Sequence, residues 1–317
     1  MFYDIFNGDA DGLCALHQLR LVEPRPEAII ISGVKRDIKL LKQVVGVTGA
    51  VITVLDISLD SNREYLPALL ATCRIMYIDH HFAGSIPDSG NLETHIDADP
   101  EVCTSLLVDR LLGGRFRPWA VVAAFGDNLH RTAAAVAPTD WSTAQLDQAR
   151  ELGELLNYNS YGAALEDLHF TPQALYAAIR PYEDPFEFFR KSPVLSRLRD
   201  GFAGDMQAAA GLAPYRECRA GRVFMLPGEP WARRVAGVFI NEKARDMPES
   251  AHVLLTENSD KSYMISVRAP LADKRGADIL CRQFPTGGGR AAAAGINSLP
   301  PALLPEFLRA FEEVFAQ

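Results

Sequence analysis

The sequence predicts an α/β fold class, with a doubly wound parallel sheet followed by a second, smaller α/β domain. Short apolar runs alternate with amphipathic segments between residues 2 and 81, as in strands joined by right-handed helical crossovers. The run over residues 75–78 has no helical period, as expected of a strand that is buried on both faces of a parallel sheet. After residue 214 the pattern changes to short strands separated by turn signals, which indicates a separate domain.

The N-terminal elements follow one another in regular alternation. The first unit is a strand over residues 2–6, the turn NGDADG and a helix whose apolar stripe begins at Leu13. The next strands and helices are predicted, in order, over residues 28–31, 38–45, 51–55, 63–72 and 75–78. An edge strand over 95–96 and helices over 102–112 and 118–125 follow. Ser142 and Gln145 form a capping-box signature for a helix that ends near residue 156.

Prolines interrupt the helical patches of residues 158–199, which we interpret as a helical extension of the first domain. The predicted domain organisation is a first domain over 1–194, a connecting segment over 195–213 and a second domain over 214–317. The second domain is predicted to contain a hairpin over 215–226 that turns near Gly221, strands over 252–256 and 263–267, and helices over 235–244, 277–284 and 303–315. A glycine-rich loop, TGGGRAAAAG, precedes the last helix.

Acidic and imidazole side chains follow several of the predicted parallel strands. They are Asp9 and Asp11 after the first strand, Asp56 after the third, and Asp79, His80 and His81 after the fourth. Because the carboxyl ends of parallel strands open on one edge of the sheet, we expect these residues to converge there. Crowded carboxylates raise one another's pKa unless a cation neutralises them. Aspartate and imidazole without a thiolate suit Mn²⁺ or Mg²⁺, and Asp127, at a glycine-marked helix end, is a further acidic candidate.

The composition excludes several classes of protein. The formal net charge of −8 argues against a sequence-independent grip on long duplex nucleic acid, which needs a basic surface. The five cysteines are scattered without a Cys-x-x-Cys pair, so neither a disulfide framework nor a zinc ribbon is expected. The N-terminal residues do not resemble a signal peptide and no apolar run reaches about 18 residues, so we expect a cytoplasmic protein without a membrane partner.

Five short motifs occur in one order along the chain: FNGDADG, LDIS, IDHH, FGDN and a late GGG-R-x-x-A-A-G. Together they resemble the DHH phosphoesterase superfamily with its DHH-associated C-terminal domain, in the nanoRNase and RecJ-like branch. The resemblance covers essentially the whole chain. It implies a metal-dependent phosphoesterase with an active-site cleft between the two domains.

The resemblance also implies a role for each motif residue. The implied ligands of two Mn²⁺ ions are Asp9 and Asp56 for the first, and Asp11, Asp56, His80 and Asp127 for the second, with Mg²⁺ as an alternative metal. His81 would contact the scissile phosphate, and Asp79 would orient an imidazole through a hydrogen bond. Two such ions can activate a water molecule and neutralise the phosphoryl oxygens.

The sequence departs from the family pattern at two positions. Ile5 stands where many members have a histidine, and Asn7 is a candidate to reach the first ion or its water. Arg290 stands where the glycine loop usually has a histidine. Glycines let backbone N–H groups approach a ligand, and a guanidinium pairs bidentately with phosphate. The predicted substrate-binding residues are therefore Arg268, Gly287, Gly288, Gly289 and Arg290.

Three further candidates are weaker. His130 follows Asp127 by three residues and is a candidate to approach the metals. Lys35 and Arg36 follow the second strand, where they could meet a substrate phosphate or simply begin a solvated helix.

The resemblance, together with the phosphate-binding character expected of the glycine loop, implies the hydrolysis of short oligonucleotides or linear dinucleotides, such as pGpG and pApA, to mononucleotides. A cyclic-dinucleotide phosphodiesterase, a phosphoadenosine phosphate phosphatase, a single-strand exonuclease and a non-catalytic nucleotide sensor stay open as alternatives. The sequence does not determine the base preference, the cleavage polarity or whether the protein is a homodimer.

Overall fold

The computed structural model describes residues 1–316, which form two compact units, the first covering Met1–Gly201 and the second beginning at Phe202. The boundary between the units lies inside a helix, Pro193–Ala210. Most of the connecting segment that the sequence predicts over 195–213 is therefore helical.

The first unit contains a five-stranded, fully parallel sheet, which confirms the predicted fold class. Its strands are β1 (Phe2–Asn7), β2 (Ile29–Gly33), β3 (Val51–Leu55), β4 (Arg74–Asp79) and β5 (Leu92–Ile96). They are arranged in the order β2-β1-β3-β4-β5. In this order the chain crosses over in opposite directions from β1 and β3, so the loops that follow these two strands flank the switch point of the sheet, where open α/β sheets bind ligands.

The helices of the first unit cover or flank this sheet. They are α1 (Ala10–Val22), α2 (Leu59–Asn62), α3 (Leu66–Leu70), α4 (Thr104–Leu111), α5 (Arg117–Gly126), α6 (His130–Val136), α7 (Thr143–Tyr158), α8 (Pro172–Ile179), α9 (Pro185–Lys191) and α10 (Pro193–Ala210), with short 3₁₀ turns at Leu40–Val44, Arg63–Tyr65 and Leu165–Asp167. The capping box predicted at Ser142 and Gln145 is present at the start of α7.

The predicted helix over 38–45 is the clearest local error, because the segment forms only the 3₁₀ turn Leu40–Val44. The side chain of Asn62 accepts a hydrogen bond from the backbone N–H of Leu41 and donates one to the carbonyl of Ile38. These contacts replace bonds that an α-helix would make internally, and Gly46, with φ of 90°, ends the segment.

Helix α1 is buried on almost every side, since it lies between the sheet and helices α4 and α5. Its one buried cation, Arg20, pairs with Asp4 of β1 through Nη2 to Oδ1 at 2.6 Å and Nε to Oδ2 at 2.8 Å, and Nη2 also donates to Thr53 Oγ1 at 2.9 Å. This bidentate pair satisfies the buried charges and ties α1 to the two central strands directly below the site.

The second unit is built on a six-stranded mixed sheet with the order β10-β11-β9-β8-β7-β6. The strands are β6 (Arg216–Cys218), β7 (Gly221–Leu226), β8 (Ala251–Glu257), β9 (Tyr263–Arg268), β10 (Gly287–Gly289) and β11 (Ala293–Leu299). Helices α11 (Pro230–Asp246), α12 (Ala277–Cys281) and α13 (Leu304–Phe315), with a 3₁₀ turn at Pro301–Leu303, complete it. Among the described residues of this sheet, β7 and β8 pair in parallel and the other neighbouring strands are antiparallel. The predicted glycine-rich loop contains strand β10 and the start of β11. No helix among residues 1–316 is both long and apolar enough to cross a membrane.

Candidate metal centre

The loop after β1 holds Asp9 in place as the N-cap of α1. Its Oδ1 accepts the backbone N–H groups of Asp11 at 3.0 Å and Gly12 at 3.1 Å, which satisfies two of the free donors that begin every helix. Gly12 is required there, because a Cβ atom would lie 2.1 Å from the carbonyl oxygen of Asn7. The tight turn from β1 into α1 therefore fixes Asp9 at the sheet edge.

Asp11 lies in the first turn of α1 and caps a second helix, α4. Its Oδ2 accepts the N–H of Thr104 and its Oδ1 accepts the N–H of Ser105, both at 2.7 Å. The carboxylate charge also complements the positive end of the α4 dipole. Asp11 consequently positions α4, and one of its ligand atoms lies within 4.8 Å of ligand atoms of His80 and Asp127.

Asp56 follows β3 in a left-handed conformation, with φ of 58°. This region is sparsely populated by residues other than glycine, and aspartate and asparagine tolerate it best. The turn directs the buried carboxylate toward the neighbouring loops, where its Oδ1 accepts a hydrogen bond from Thr104 Oγ1 at 3.2 Å. The left-handed backbone conformation after β3 thus determines where the Asp56 carboxylate lies.

The Asp-His-His stretch ends β4 and gives its two imidazoles different roles. His80 Nδ1 lies 2.8 Å from the carbonyl oxygen of Val102, which can only accept, so Nδ1 carries the proton and Nε2 has a free lone pair. His81 Nδ1 lies 2.7 Å from Oδ1 of the fully buried Asp79. The free Nε2 of His80 is therefore available to a metal ion, while Asp79 orients His81, whose side chain is 43% exposed.

The ligand atoms of these loops converge around His80 Nε2. Asp56 Oδ1 lies 3.5 Å from this nitrogen, and Oδ2 of Asp127, at the end of α5, lies 3.8 Å from it. Two sets have ligand atoms within 4.8 Å of one another: Asp56, His80 and His81, and Asp11, His80 and Asp127. Oxygen donors with one or two imidazole nitrogens and no thiolate fit a Mn²⁺ or Mg²⁺ ion.

The electrostatics of the cluster also favour a cation. Burial, together with the charges of Asp9, Asp11, Asp127 and Asp79, raises the pKa of Asp56 well above its usual value. Burial and the charges of Asp11 and Asp9 raise the pKa of Asp127 to about 6, although Lys35 and His80 oppose this shift. A bound divalent ion would remove this repulsion.

A lysine lies inside the acidic cluster. Lys35 Nζ is 2.6 Å from Asp9 Oδ2, 3.1 Å from Asn157 Oδ1 and 3.6 Å from Asp127 Oδ1. Burial alone would raise the pKa of Asp9, but the charge and hydrogen bond of Lys35 lower it to about 2. Of the two uses weighed for Lys35 from sequence, a solvated helix start is wrong, because Lys35 points into the acids.

The two remaining N-terminal candidates lie at the margin of the cluster. Asn7 donates from Nδ2 to the carbonyl oxygen of Lys35 at 3.3 Å, and its buried Oδ1 has no hydrogen-bond partner among residues 1–316. His130 begins α6, where its Nε2 lies 3.1 Å from Asn128 Oδ1 and its ring packs on Phe125. Neither residue belongs to the ligand sets found in the described part of the chain.

The predicted substrate-binding residues lie close together within the sheet of the second unit. Arg290 exchanges two backbone hydrogen bonds with Ala293 at the tip of the β10–β11 hairpin, and Ala293 pairs with Arg268 of β9. Ala293 of β11 therefore lies between the two arginines, whose Cα atoms are roughly 10 Å apart at ordinary strand spacing. Arg268 Nε donates to Asn241 Oδ1 at 2.7 Å.

The three glycines have different reasons to be glycine. A Cβ atom on Gly287 would lie 1.8 Å from the carbonyl oxygen of Cys281, and one on Gly289, where φ is 138°, would lie 2.5 Å from Cα of Ala294. A Cβ atom on Gly288 would meet nothing within 4 Å. Chain packing explains two of the glycines, and only Gly288 leaves open space for a ligand.

Several residues of the centre were not found from the sequence. They are Val102, Thr104 and Ser105, which contact His80, Asp56 and Asp11, and Asn157 at the end of α7. The sequence predicts a helix over 102–112, but its pattern does not show that the start of this helix contacts the acidic cluster. Nothing in the local sequence marks Asn157.

The fold is shared with solved nucleases and phosphodiesterases. Exonuclease RecJ bound to manganese matches with a TM-score of 0.59 and 17% identity over 100% of this chain and 90% of that chain. RecJ from Thermus thermophilus in complex with Mn²⁺ matches with a TM-score of 0.59 and 17% identity over 99% of this chain and 52% of that chain. A pGpG-specific phosphodiesterase, PggH of Vibrio cholerae, matches with 0.54 and 14% identity over 99% of both chains. No protein-family model and no curated protein matches the sequence. These likenesses confirm that the chain has the expected RecJ-like α/β fold.

Proposed function

We propose that this protein is a Mn²⁺-dependent phosphodiesterase that hydrolyses short oligonucleotides or linear dinucleotides, such as pGpG and pApA, to mononucleotides. The observation that carries the proposal is the convergence of Asp11, Asp56 and Asp127 on the bare Nε2 of His80 at the switch point of the sheet. That RecJ and PggH share the fold supports it, since both are named for cleavage of nucleotide phosphodiesters.

The chain's own residues prepare a site for a divalent ion. Val102 fixes the tautomer of His80, Asp11 is held by the α4 amides, and Asp56 is held by its turn and by Thr104. Preorganised ligands lose little conformational freedom on binding. Bound to these groups, Mn²⁺ would lower the pKa of a coordinated water and neutralise phosphoryl oxygens.

His81 is positioned to act on the substrate. Burial would lower its pKa, but the hydrogen bond and charge of Asp79, with the charges of Asp9 and Asp11, raise it above the ordinary value. An imidazolium whose Nδ1–H is held by Asp79 presents Nε2–H as a donor. We infer that it donates to a phosphoryl oxygen and helps to stabilise the charge that develops there.

We further propose that Arg268, Arg290 and the open backbone at Gly288 bind the substrate end that is not cleaved. A guanidinium suits a terminal phosphate, and a Cβ atom on Gly288 would meet nothing within 4 Å, so there is room beside this residue. The net charge of −8 favours small substrates, because a long nucleic acid needs a broad basic surface. The fold of RecJ supports one alternative, a single-strand exonuclease.

A panel of substrates tests the proposal. With Mn²⁺ we expect turnover of pGpG and pApA to exceed that of longer single-stranded RNA or DNA, of cyclic dinucleotides and of phosphoadenosine phosphate. Excess EDTA should abolish it and added Mn²⁺ should restore it. Asp60→Asn, which changes an exposed carboxylate four residues after Asp56, is the control and should be fully active. Full turnover in EDTA, or inertness of every dinucleotide with Mn²⁺, would overturn the proposal, and faster cleavage of long single strands would favour the exonuclease.

A further inference from the structure

Asp9 and Asp11 both accept hydrogen bonds from backbone N–H groups, but Asp9 also has a cation against its other oxygen. Oδ1 of Asp9 accepts the N–H groups of Asp11 and Gly12 as the cap of α1, and Oδ2 accepts Lys35 Nζ at 2.6 Å. Neither set of mutually close metal-ligand atoms among residues 1–316 includes Asp9. Ile5, which lies two residues before Asn7 on β1, is fully buried in the core and offers no ligand atom.

Lys35 is built into this position at both its backbone and its side chain. Its N–H donates to the carbonyl of Ser160 at 3.0 Å, and its own carbonyl accepts from Asn7 Nδ2 at 3.3 Å. The side chain is only 28% exposed. Anchored at both ends, Lys35 differs from a surface lysine that happens to reach an acid.

The surroundings of the ammonium group suit a cation. Asn157 lies in the last turn of α7, where the helix dipole places partial negative charge, and its Oδ1 is 3.1 Å from Lys35 Nζ. The ring of Tyr161 lies 5.7 Å from the same nitrogen, within the range of a cation–π contact. Asp127 Oδ1, 3.6 Å away, links the ammonium to the ligands around His80.

We propose that the Lys35 ammonium takes the place of a second divalent ion at Asp9, so that the centre binds one ion, held around His80. Lys35 then contributes a fixed positive charge beside the single metal. A divalent ion close to Asp9 would face this ammonium directly, and the like charges would repel. This inference deepens the proposed function and rests on its metal site.

The number of bound ions tests the proposal. Mn²⁺ titrated into the chelator-stripped protein should bind at one ion per chain by calorimetry and elemental analysis, and the electron paramagnetic resonance spectrum should show the six lines of an isolated ion. Lys35→Gln removes the charge and should raise the count to two, with a spin-coupled spectrum. Lys35→Arg keeps the charge and should bind one. The matched control is Lys39→Gln, whose ammonium pairs with exposed Glu64, and it should also bind one.

Two results would overturn the proposal: two ions per wild-type chain, or a single ion in folded Lys35→Gln. If Lys35→Gln does not fold, Asp9→Asn decides, because asparagine keeps the helix cap. The proposal predicts one bound ion both in the wild type and in Asp9→Asn. Two ions in the wild type and one in Asp9→Asn would contradict it. Since the readout is the ion count, a chain that binds one Mn²⁺ without hydrolysing dinucleotides would refute the proposed function only.

Discussion

Replacing Asp127 with asparagine should make the metal-free protein more stable. Burial and the charges of Asp11 and Asp9 raise the pKa of the Asp127 carboxyl from 3.8 to about 6, against the opposing charges of Lys35 and His80. Asparagine keeps the shape of the side chain and its place at the end of α5 but removes the charge. The change therefore removes a negative charge that burial and the neighbouring carboxylates make unfavourable.

The pH dependence of the effect follows from the direction of the shift. The folded chain holds the Asp127 proton more tightly than the unfolded chain, so stability falls as pH rises from about 4 to about 6. About two pKa units correspond to about 3 kcal/mol, and the 20% exposure of the side chain reduces this to about 2 kcal/mol. The free energy of unfolding of Asp127→Asn should therefore exceed that of the wild type by this amount at pH 8 and equal it at pH 4.

Urea unfolding in EDTA measures the gain. A Trp231→Phe background leaves Trp119, which is fully buried, and Trp141 as fluorescence probes of the first unit. Both chains are compared between pH 4 and pH 8, then again at pH 8 with saturating Mn²⁺. Mn²⁺ at 100 times its Kd should add about 2.7 kcal/mol to the free energy of unfolding of the wild type. Because the variant has lost a ligand, Mn²⁺ should cancel or reverse the order of stabilities.

A variant that is less stable than the wild type at pH 8 without metal would refute the reasoning. The same would follow if the difference in unfolding free energy were constant between pH 4 and pH 8, because repulsion requires the ionised carboxylate.

Two further predictions concern the chemistry and the substrate. Asp56→Asn, which suits the φ of 58° better than alanine, should lose Mn²⁺ and all turnover while keeping its circular dichroism spectrum, whereas His81→Ala should lose rate but keep Mn²⁺; equal metal loss in both would show the roles to be misassigned. Arg290→Ala should raise KM for 5′-phosphorylated dinucleotides about ten- to a hundredfold, the equivalent of roughly 1.5 to 3 kcal/mol for a charge-assisted contact, but not for bis-p-nitrophenyl phosphate. Arg275→Ala, which breaks an exposed pair with Asp273, is the control, and equal losses with and without the 5′-phosphate would exclude a terminal-phosphate contact.

Burial explains which parts of the fold could be predicted from the sequence. The run over residues 75–78 is apolar because β4 is covered on both faces, so its pattern marks a strand directly. The 3₁₀ turn Leu40–Val44 could not be predicted, because Asn62, distant in sequence, determines it. Strand β10 escaped prediction for a similar reason: its glycines follow from packing against Cys281 and Ala294, not from strand propensity.

The candidate centre was predictable where an acidic or imidazole side chain follows a strand. Asp9, Asp56 and His80 were identified in this way, since topology alone brings the ends of parallel strands together. The role of Lys35 was not predictable, because its contact with Asn157 depends on how α7 packs, and no spacing in the sequence reports this.

The double use of Asp11 affects how related sequences should be interpreted. Its carboxylate accepts two 2.7 Å hydrogen bonds from the first backbone N–H groups of α4. A related protein that no longer binds a metal would still need a hydrogen-bond acceptor at this position to hold the helix. His80 and Asp127 lack such a structural duty toward a helix start and are free to drift once the ion is dispensable. A homologue that retains Asp11 but has lost His80 and Asp127 is thus expected to keep the fold without the proposed metal site. For sorting active from inactive relatives, the imidazole and the late aspartate are the informative positions.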